Sequence, residues 1–153
     1  MPVHPSALLP AAVLGFGLGA FADGILLHQV LQWHHLNSAY ADTERSGVLA
    51  DGLFHAAAYV VVVGALVWAW RRPSRRSGRE VVGAALVGWG AFHIVDQLLF
   101  HLLLRAHDIR PGEHTQLYNW GFTAIGVVLA LGGLALVRSR HDRTPARPAA
   151  ARR

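Results

Sequence analysis

The sequence predicts an all-α integral membrane protein, a bundle of four transmembrane helices built from two repeated helical hairpins. Three observations predict it. Apolar runs of about 20 residues recur four times, each enough to cross a hydrocarbon core of about 30 Å. Of the 153 residues, 53% are hydrophobic, and the mean hydropathy is positive. Finally, the stretch GFGLGAFADGILLHQVLQWHH from Gly15 to His35 is echoed without a gap by GWGAFHIVDQLLFHLLLRAHD from Gly88 to Asp108. Gly15 falls on Gly88, Gly17 on Gly90, Asp23 on Asp96, His28 on His101 and His34 on His107, at an offset of 73 residues. Matched Asp and His inside apolar runs carry this argument, because each is expensive in a bilayer.

Segment one is expected from about Leu8 to Trp33, segment two from Asp51 to Trp70, segment three from Glu80 to Leu104 and segment four from Tyr118 to Val137. These segments lack the polar face, repeating at helical period, of a soluble domain. The membrane domain thus covers 1–137, with repeat one at 8–70 and repeat two at 80–137. Residues 138–153, rich in Arg, Pro and Ala, read as a disordered basic tail.

All fourteen basic residues are arginines. Arg71, Arg72, Arg75, Arg76 and Arg79 sit between segments two and three, and Arg138, Arg140, Arg143, Arg147, Arg152 and Arg153 follow segment four. The positive-inside rule places the central loop and the C-terminus in the cytoplasm, and an even number of spans places the N-terminus there too. The expected setting is a cytoplasmic (inner) membrane, with the lipid bilayer as the first partner. Nucleic acid is not expected as a partner, because the arginines flank membrane ends without interleaved aromatic residues. The chain has no cysteine, and its one methionine is Met1, so disulfides and soft sulfur ligation are set aside.

Met1 to Pro10 carries three prolines, and His4 there is expected to be solvated. In segment one, Gly15, Gly17 and Gly19 allow close helix approach, which permits a homodimer. His28, Gln32 and His35 share a face of an ideal helix, whereas Asp23 and His28 stand about 140° apart on it. The polar stretch from Leu36 to Ala50 suits an exterior loop. Asp51 and His55, four apart, lie on one face, and Asp51 can equally serve as a helix N-cap or first-turn acid. His93 and Asp96, three apart, are placed to pair. Asn119 and Thr123 loosely echo Asp51 and His55 in segment four.

With this topology, His28, His34, His35, Asp51, His55, Asp96, His101, His107, His114 and Asn119 gather toward the outer face, with Asp23 and His93 deeper. Imidazole and carboxylate suit Zn, Fe or Cu(II), and a bundle core can converge them from several helices. A transition-metal site is therefore expected. His28, His55 and His101 are the leading ligands, Asp23, Asp51 and Asp96 further ligands or supports, and His34, His35 and His107 the mouth. Three alternatives remain, one of them a structural membrane bundle whose polar core holds no metal. A proton or ion relay could run along the Asp and His groups, and haem could be ligated by His28 and His101.

Asp23-Gly24, His28-Gln29, Gln32-Trp33-His34-His35 and Asp51-Gly52-Leu53-Phe54-His55 closely resemble the bacterial membrane-protein family catalogued as domain of unknown function 2243. The resemblance implies a four-span bundle and extends to about Val137. It also implies a second-half pattern from which this chain departs. His93 stands for a usual Asn, Asp96 for a usual Glu and Leu99-Phe100-His101 for an Asp-His-His run. His107-Asp108 stands for paired histidines, and Asn119 for an acid. The departures suggest a variant ligand set. The family transfers no established activity. Its association with respiratory-oxidase assembly genes implies copper or haem supply, with a respiratory-chain assembly partner.

Overall fold

Each span begins where its sequence supplies an end signal. In the computed structural model, which describes residues 7–72 and 76–139, α1 covers Leu9–Asp23 with Pro10 in its first turn, where a missing N–H is harmless. It runs directly into a π-helical segment, π1, at Gly24–Val30. Helix α2 covers Glu44–Arg71 behind a capping box, in which Thr43 accepts from the Ser46 N–H and Ser46 accepts from the Thr43 N–H. Ser77 and Glu80 form a second capping box ahead of α3, Gly78–Asp96, which continues as π2, Gln97–Leu103. Helix α4 covers Thr115–Arg138.

Four helical stretches are long and apolar enough to cross a membrane: Leu9–Val30, Glu44–Arg71, Gly78–Leu103 and Thr115–Arg138. The all-α, four-span class is thus observed. Two expectations change. Helix α2 starts at Glu44 rather than near Asp51, because the polar stretch before Asp51 is itself helical behind the Thr43 cap. Asp51 is therefore inside the helix and is not its N-cap. Helix α4 likewise runs through Arg138, past the expected start of the tail. His4, Pro73, Arg75 and the tail from Arg140 onward lie outside the described residues.

Helices α1 and α3 form the central pair, with α2 packed on α1 and α4 on α3. The central contact is backbone on backbone. A Cβ added at Gly15 would lie 1.9 Å from the Ala85 carbonyl oxygen, and one at Gly88 1.8 Å from that of Ala12. On the α3–α4 side, Gly90 meets Gly126, and Gly83 meets Gly133, in the same manner. In lipid, where no hydrophobic force drives helices together, such close approach is a main source of packing energy. Outward-facing Leu53, Tyr59, Val60, Leu103, Leu117 and Val128 are exposed, as lipid-facing side chains should be.

Backbone features recur at the sequence offset of 73 residues. Asp23 and Asp96 each end an α-helix, and a seven-residue π segment follows each. Gln32 and Arg105 both adopt left-handed conformations, with φ of 49° and 50°. Leu31 N–H bonds to Leu26 O as Leu104 N–H bonds to Leu99 O. Runs of π-helix are rare and mark functional regions more often than ordinary helix does.

Gly88→Val is expected to destabilise the fold by about 3 kcal/mol or more, at or beyond the top of the overpacking range, seen as a lower thermal midpoint in mild detergent. Gly52→Ala, whose new Cβ meets nothing within 4 Å, should leave that midpoint in place. Equal effects would show that the central glycine contact does not set stability.

Candidate functional site

The π segments do for the site what an α-helix could not. Residues five apart diverge on an α-helix, but an i→i+5 hydrogen-bonding pattern lines them up. His28 Nε2 accordingly lies 3.4 Å from Asp23 Oδ2, and His101 Nε2 lies 3.1 Å from Asp96 Oδ2. The angular separation expected for Asp23 and His28 is thereby closed, and Asp96 pairs with His101 rather than with His93. The His93 ring instead accepts the Trp89 indole N–H at its Nε2, 3.1 Å away.

Beyond each left-handed residue the chain folds back over the end of the bundle, and the two loops grip each other. Ala39 N–H bonds to Ala106 O at 2.8 Å, and the Tyr40 hydroxyl donates to Leu104 O. His34 Nδ1–H donates to Ile109 O and His107 Nδ1–H to Leu36 O, both at 2.8 Å. Each histidine thus takes its carbonyl from the other half of the chain. The acceptors fix both tautomers, leaving Nε2 with its lone pair in the neutral ring.

The result is a column of four imidazoles. The His28 and His34 centroids are 4.4 Å apart, His34 and His107 stack at 4.4 Å with an 8° interplanar angle, and His107 and His101 are again 4.4 Å apart. Asp23 and Asp96 stand at the two ends. His34 and His107 are 5% and 6% exposed, so the wet mouth expected of them is not what they form. Only His35 of that expected trio is partly open, its side chain being 34% exposed. Burial pushes the His34 imidazole down to about 3 and the His107 imidazole to about 4, with the neighbouring histidines adding to both shifts.

Asp51, fully buried, fastens the first half together. Its carboxylate accepts from His28 Nδ1–H at 2.8 Å, His35 Nδ1–H at 2.6 Å and Leu36 N–H at 2.8 Å. These hydrogen bonds fix the orientation of the His28 and His35 rings. His55 is turned away: its Nδ1–H donates to Asp51 O at 2.7 Å, and its Nε2 faces the backbone of Gly24.

In the second half Asn119 takes the place of Asp51. Its Oδ1 accepts from Ile109 N–H at 2.9 Å, and its Nδ2 donates to Asp108 at 2.7 Å. Thr123 donates to Asn119 O as His55 does to Asp51 O. Asp108 and Asn119 were not read as a pair from sequence. The signal was the echo of Asp51-x-x-x-His55 in Asn119-x-x-x-Thr123.

Of the nine residues expected to bind metal, Asp96, His101 and His107 bring donor atoms within 4.8 Å of one another, and no other group among the described residues does so. They sit beside a cavity of about 520 Å³ lined by Gln97, His101, His107, Asp108 and Asn119. Buried His101 Nδ1 and Gln97 Oε1 have no hydrogen-bond partner there.

Two outcomes are expected. Asp51→Ala strands the His28, His35 and Leu36 donors, besides a longer bond from Gln29, and should cost about 3 kcal/mol at roughly 1 kcal/mol per short hydrogen bond, measured by thermal unfolding. An unchanged midpoint would remove Asp51 as the fastening group. The second concerns pH. His34 and His107 stay neutral in the folded, metal-free protein down to about pH 3 and 4, whereas an unfolded chain protonates them near 6.5. The unfolded state then binds more protons below pH 6.5, so stability is full above that pH and declines as pH falls toward 4. The decline should approach about 1.4 kcal/mol per pH unit per histidine. His34→Phe should flatten the slope, and an unaltered slope would show that this ring contributes nothing to it.

No curated protein and no solved structure matches the chain. Residues 10–140 match the family described as a predicted membrane protein, domain of unknown function 2243. That match takes in all four spans, apart from Leu9, and both interlocked loops, and the chain belongs to this family.

Proposed function

We propose that this protein binds one transition-metal ion at Asp96, His101 and His107, and serves in metal handling or metal-dependent chemistry at the bilayer. The convergence of these three donors within 4.8 Å carries the reading. The 3.1 Å between Asp96 Oδ2 and His101 Nε2 is close to the edge of about 3.3 Å between tetrahedral ligands bound at about 2.0 Å. The Leu36 carbonyl holds His107 so that Nε2 can ligate, a common supporting device at metal-bound histidine. One carboxylate and two imidazoles suit Zn, Fe or Cu(II). The bound ion would supply Lewis acidity or, for Fe and Cu, redox capacity. The adjoining cavity would admit a further ligand.

The distribution of arginine supports an orientation with the interlocked loops outside and both termini in the cytoplasm. The offset of 73 residues, followed through π segments and left-handed turns, supports an origin of the chain in two repeated hairpins. A proton relay along the Asp and His groups is the second reading; the four imidazoles lie between two carboxylates at centroid spacings of 4.4 Å, but no hydrogen bond joins one ring to the next among the described residues, so the metal reading has the better support. Haem held between His28 and His101 gains no support, because the rings of His34 and His107 fill the space between them.

The test is elemental analysis and an absorption spectrum of the protein purified in mild detergent without a histidine tag. About one Zn, Fe or Cu per chain is expected, lost in His101→Ala and Asp96→Asn but kept in His55→Ala. No metal after reloading, or equal loss in His55→Ala, would sink the reading. A Soret band would redirect it to haem.

A further inference from the structure

The first half of the chain holds the same three residue types that converge in the second. At the offset of 73, Asp23, His28 and His34 correspond to Asp96, His101 and His107. The geometry repeats with the sequence. His28 Nε2 lies 3.4 Å from Asp23 Oδ2, against 3.1 Å for His101 and Asp96. The His28 and His34 rings meet at 4.4 Å and 66°, the His101 and His107 rings at 4.4 Å and 71°. His34 and His107 each donate Nδ1–H to a carbonyl 2.8 Å away.

The hydrogen bonds leave this half with acceptors and no donor to meet them. His28 gives its Nδ1–H to Asp51 and His34 gives its Nδ1–H to Ile109 O, so each neutral ring keeps a lone pair at Nε2. Both Nε2 atoms and Asp23 Oδ1 are buried without a hydrogen-bond partner, in residues 2%, 5% and 6% exposed. The His28 Nε2 lone pair, moreover, stands 3.4 Å from a carboxylate oxygen, which it repels. Unmet buried acceptors are costly, and a buried carboxylate more so. A proton on His28 Nε2 would bridge to Asp23 Oδ2, yet leave His34 Nε2 unmet. A metal ion can draw on the carboxylate and both rings together.

Two further features belong to a metal site. The Asp51 carboxylate holds His28 Nδ1, a common support for a metal-bound histidine and one that His101 lacks. A cavity of about 310 Å³, lined by His28, Gln29, Gln32, His35 and Glu44, adjoins the ligands and offers an entry path past an imidazole and an acid. The halves differ in reach. The donor atoms of Asp23, His28 and His34 do not all come within 4.8 Å of one another, as those of the second half do. An ion must draw these side chains together, and the site is the weaker for it.

We infer that Asp23, His28 and His34 bind a second transition-metal ion, which fills only when metal is in excess. Protein isolated without added metal would carry the ion at Asp96, His101 and His107 alone. The stacked rings of His34 and His107 place the two ions side by side, one in each half of the chain. The inference uses none of the ligands of the site proposed above, so either can hold while the other fails.

The experiment is equilibrium dialysis of the untagged full chain, in mild detergent, against rising free Zn²⁺, read by elemental analysis. Uptake is expected in two steps, ending at about two ions per chain. Asp23→Asn and His34→Phe should each weaken the second step by roughly tenfold or more and keep the first. His101→Ala should remove the first step and keep the weaker one. His114→Ala, on the exposed loop, should leave both. If His34→Phe fails to fold, Asp23→Asn, which preserves size and shape, carries the test. A single step that Asp23→Asn leaves intact and His101→Ala removes would overturn this inference and keep the site at Asp96. A single step with the opposite pattern would keep this inference and sink that site. A second step that survives Asp23→Asn, or that disappears in His114→Ala, is adventitious binding and overturns the inference, as does loss of both steps together in Asp23→Asn.

Discussion

The architecture depends on two helices touching through their backbones. Gly15 and Gly88 press against the carbonyls of Ala85 and Ala12 so closely that no side chain fits between. This contact brings the α1–π1 and α3–π2 rods alongside each other. The loops that follow are then near enough to trade hydrogen bonds, and four imidazoles fall into one column. Larger residues at either glycine would separate the rods, and the loop contacts beyond them would be lost.

Much of this was legible in the sequence. The four spans follow from apolar runs of membrane length, and the match of Asp23, His28 and His34 with Asp96, His101 and His107 foreshadowed their equivalent placement. Three things were not legible. The start of α2 was hidden because Glu44 to Ser46 reads as loop until the Thr43 cap is seen. The pairing of Asp23 with His28 was hidden because ideal α-helical geometry sends residues five apart to different faces. The twice-repeated Asp-x-x-x-x-His spacing is the trace that a π segment leaves. Finally, the burial of His34 and His107 depends on the carbonyls of Ile109 and Leu36, and no side-chain pattern reports a backbone acceptor some 70 residues away.

The two halves differ in the group that fastens the loop to the bundle. In the first, Asp51 takes His28 Nδ1 and His35 Nδ1, so His28 is held between carboxylates on both sides. In the second, Asn119 turns its amide to Asp108 and Ile109, and His101 Nδ1 is left without a partner. An acid fastening a base has become an amide fastening an acid. The hydrogen-bond framework survives the exchange, while the imidazole beside it is released. Asp96, His101 and His107 bring donor atoms within 4.8 Å of one another, whereas Asp23, His28 and His34 do not meet the same test.

The exchange of histidine bonds between loops also bears on how the chain is made. During synthesis the first hairpin enters the bilayer while the second is still on the ribosome. At that stage His34 has no Ile109 carbonyl, and the Leu36 carbonyl has no His107. Both groups need water, which is plentiful at the headgroups and absent from the hydrocarbon. The end of the newborn hairpin must therefore stay hydrated until its counterpart arrives. Each buried histidine takes its acceptor from the other half, so neither half can dry its imidazoles alone.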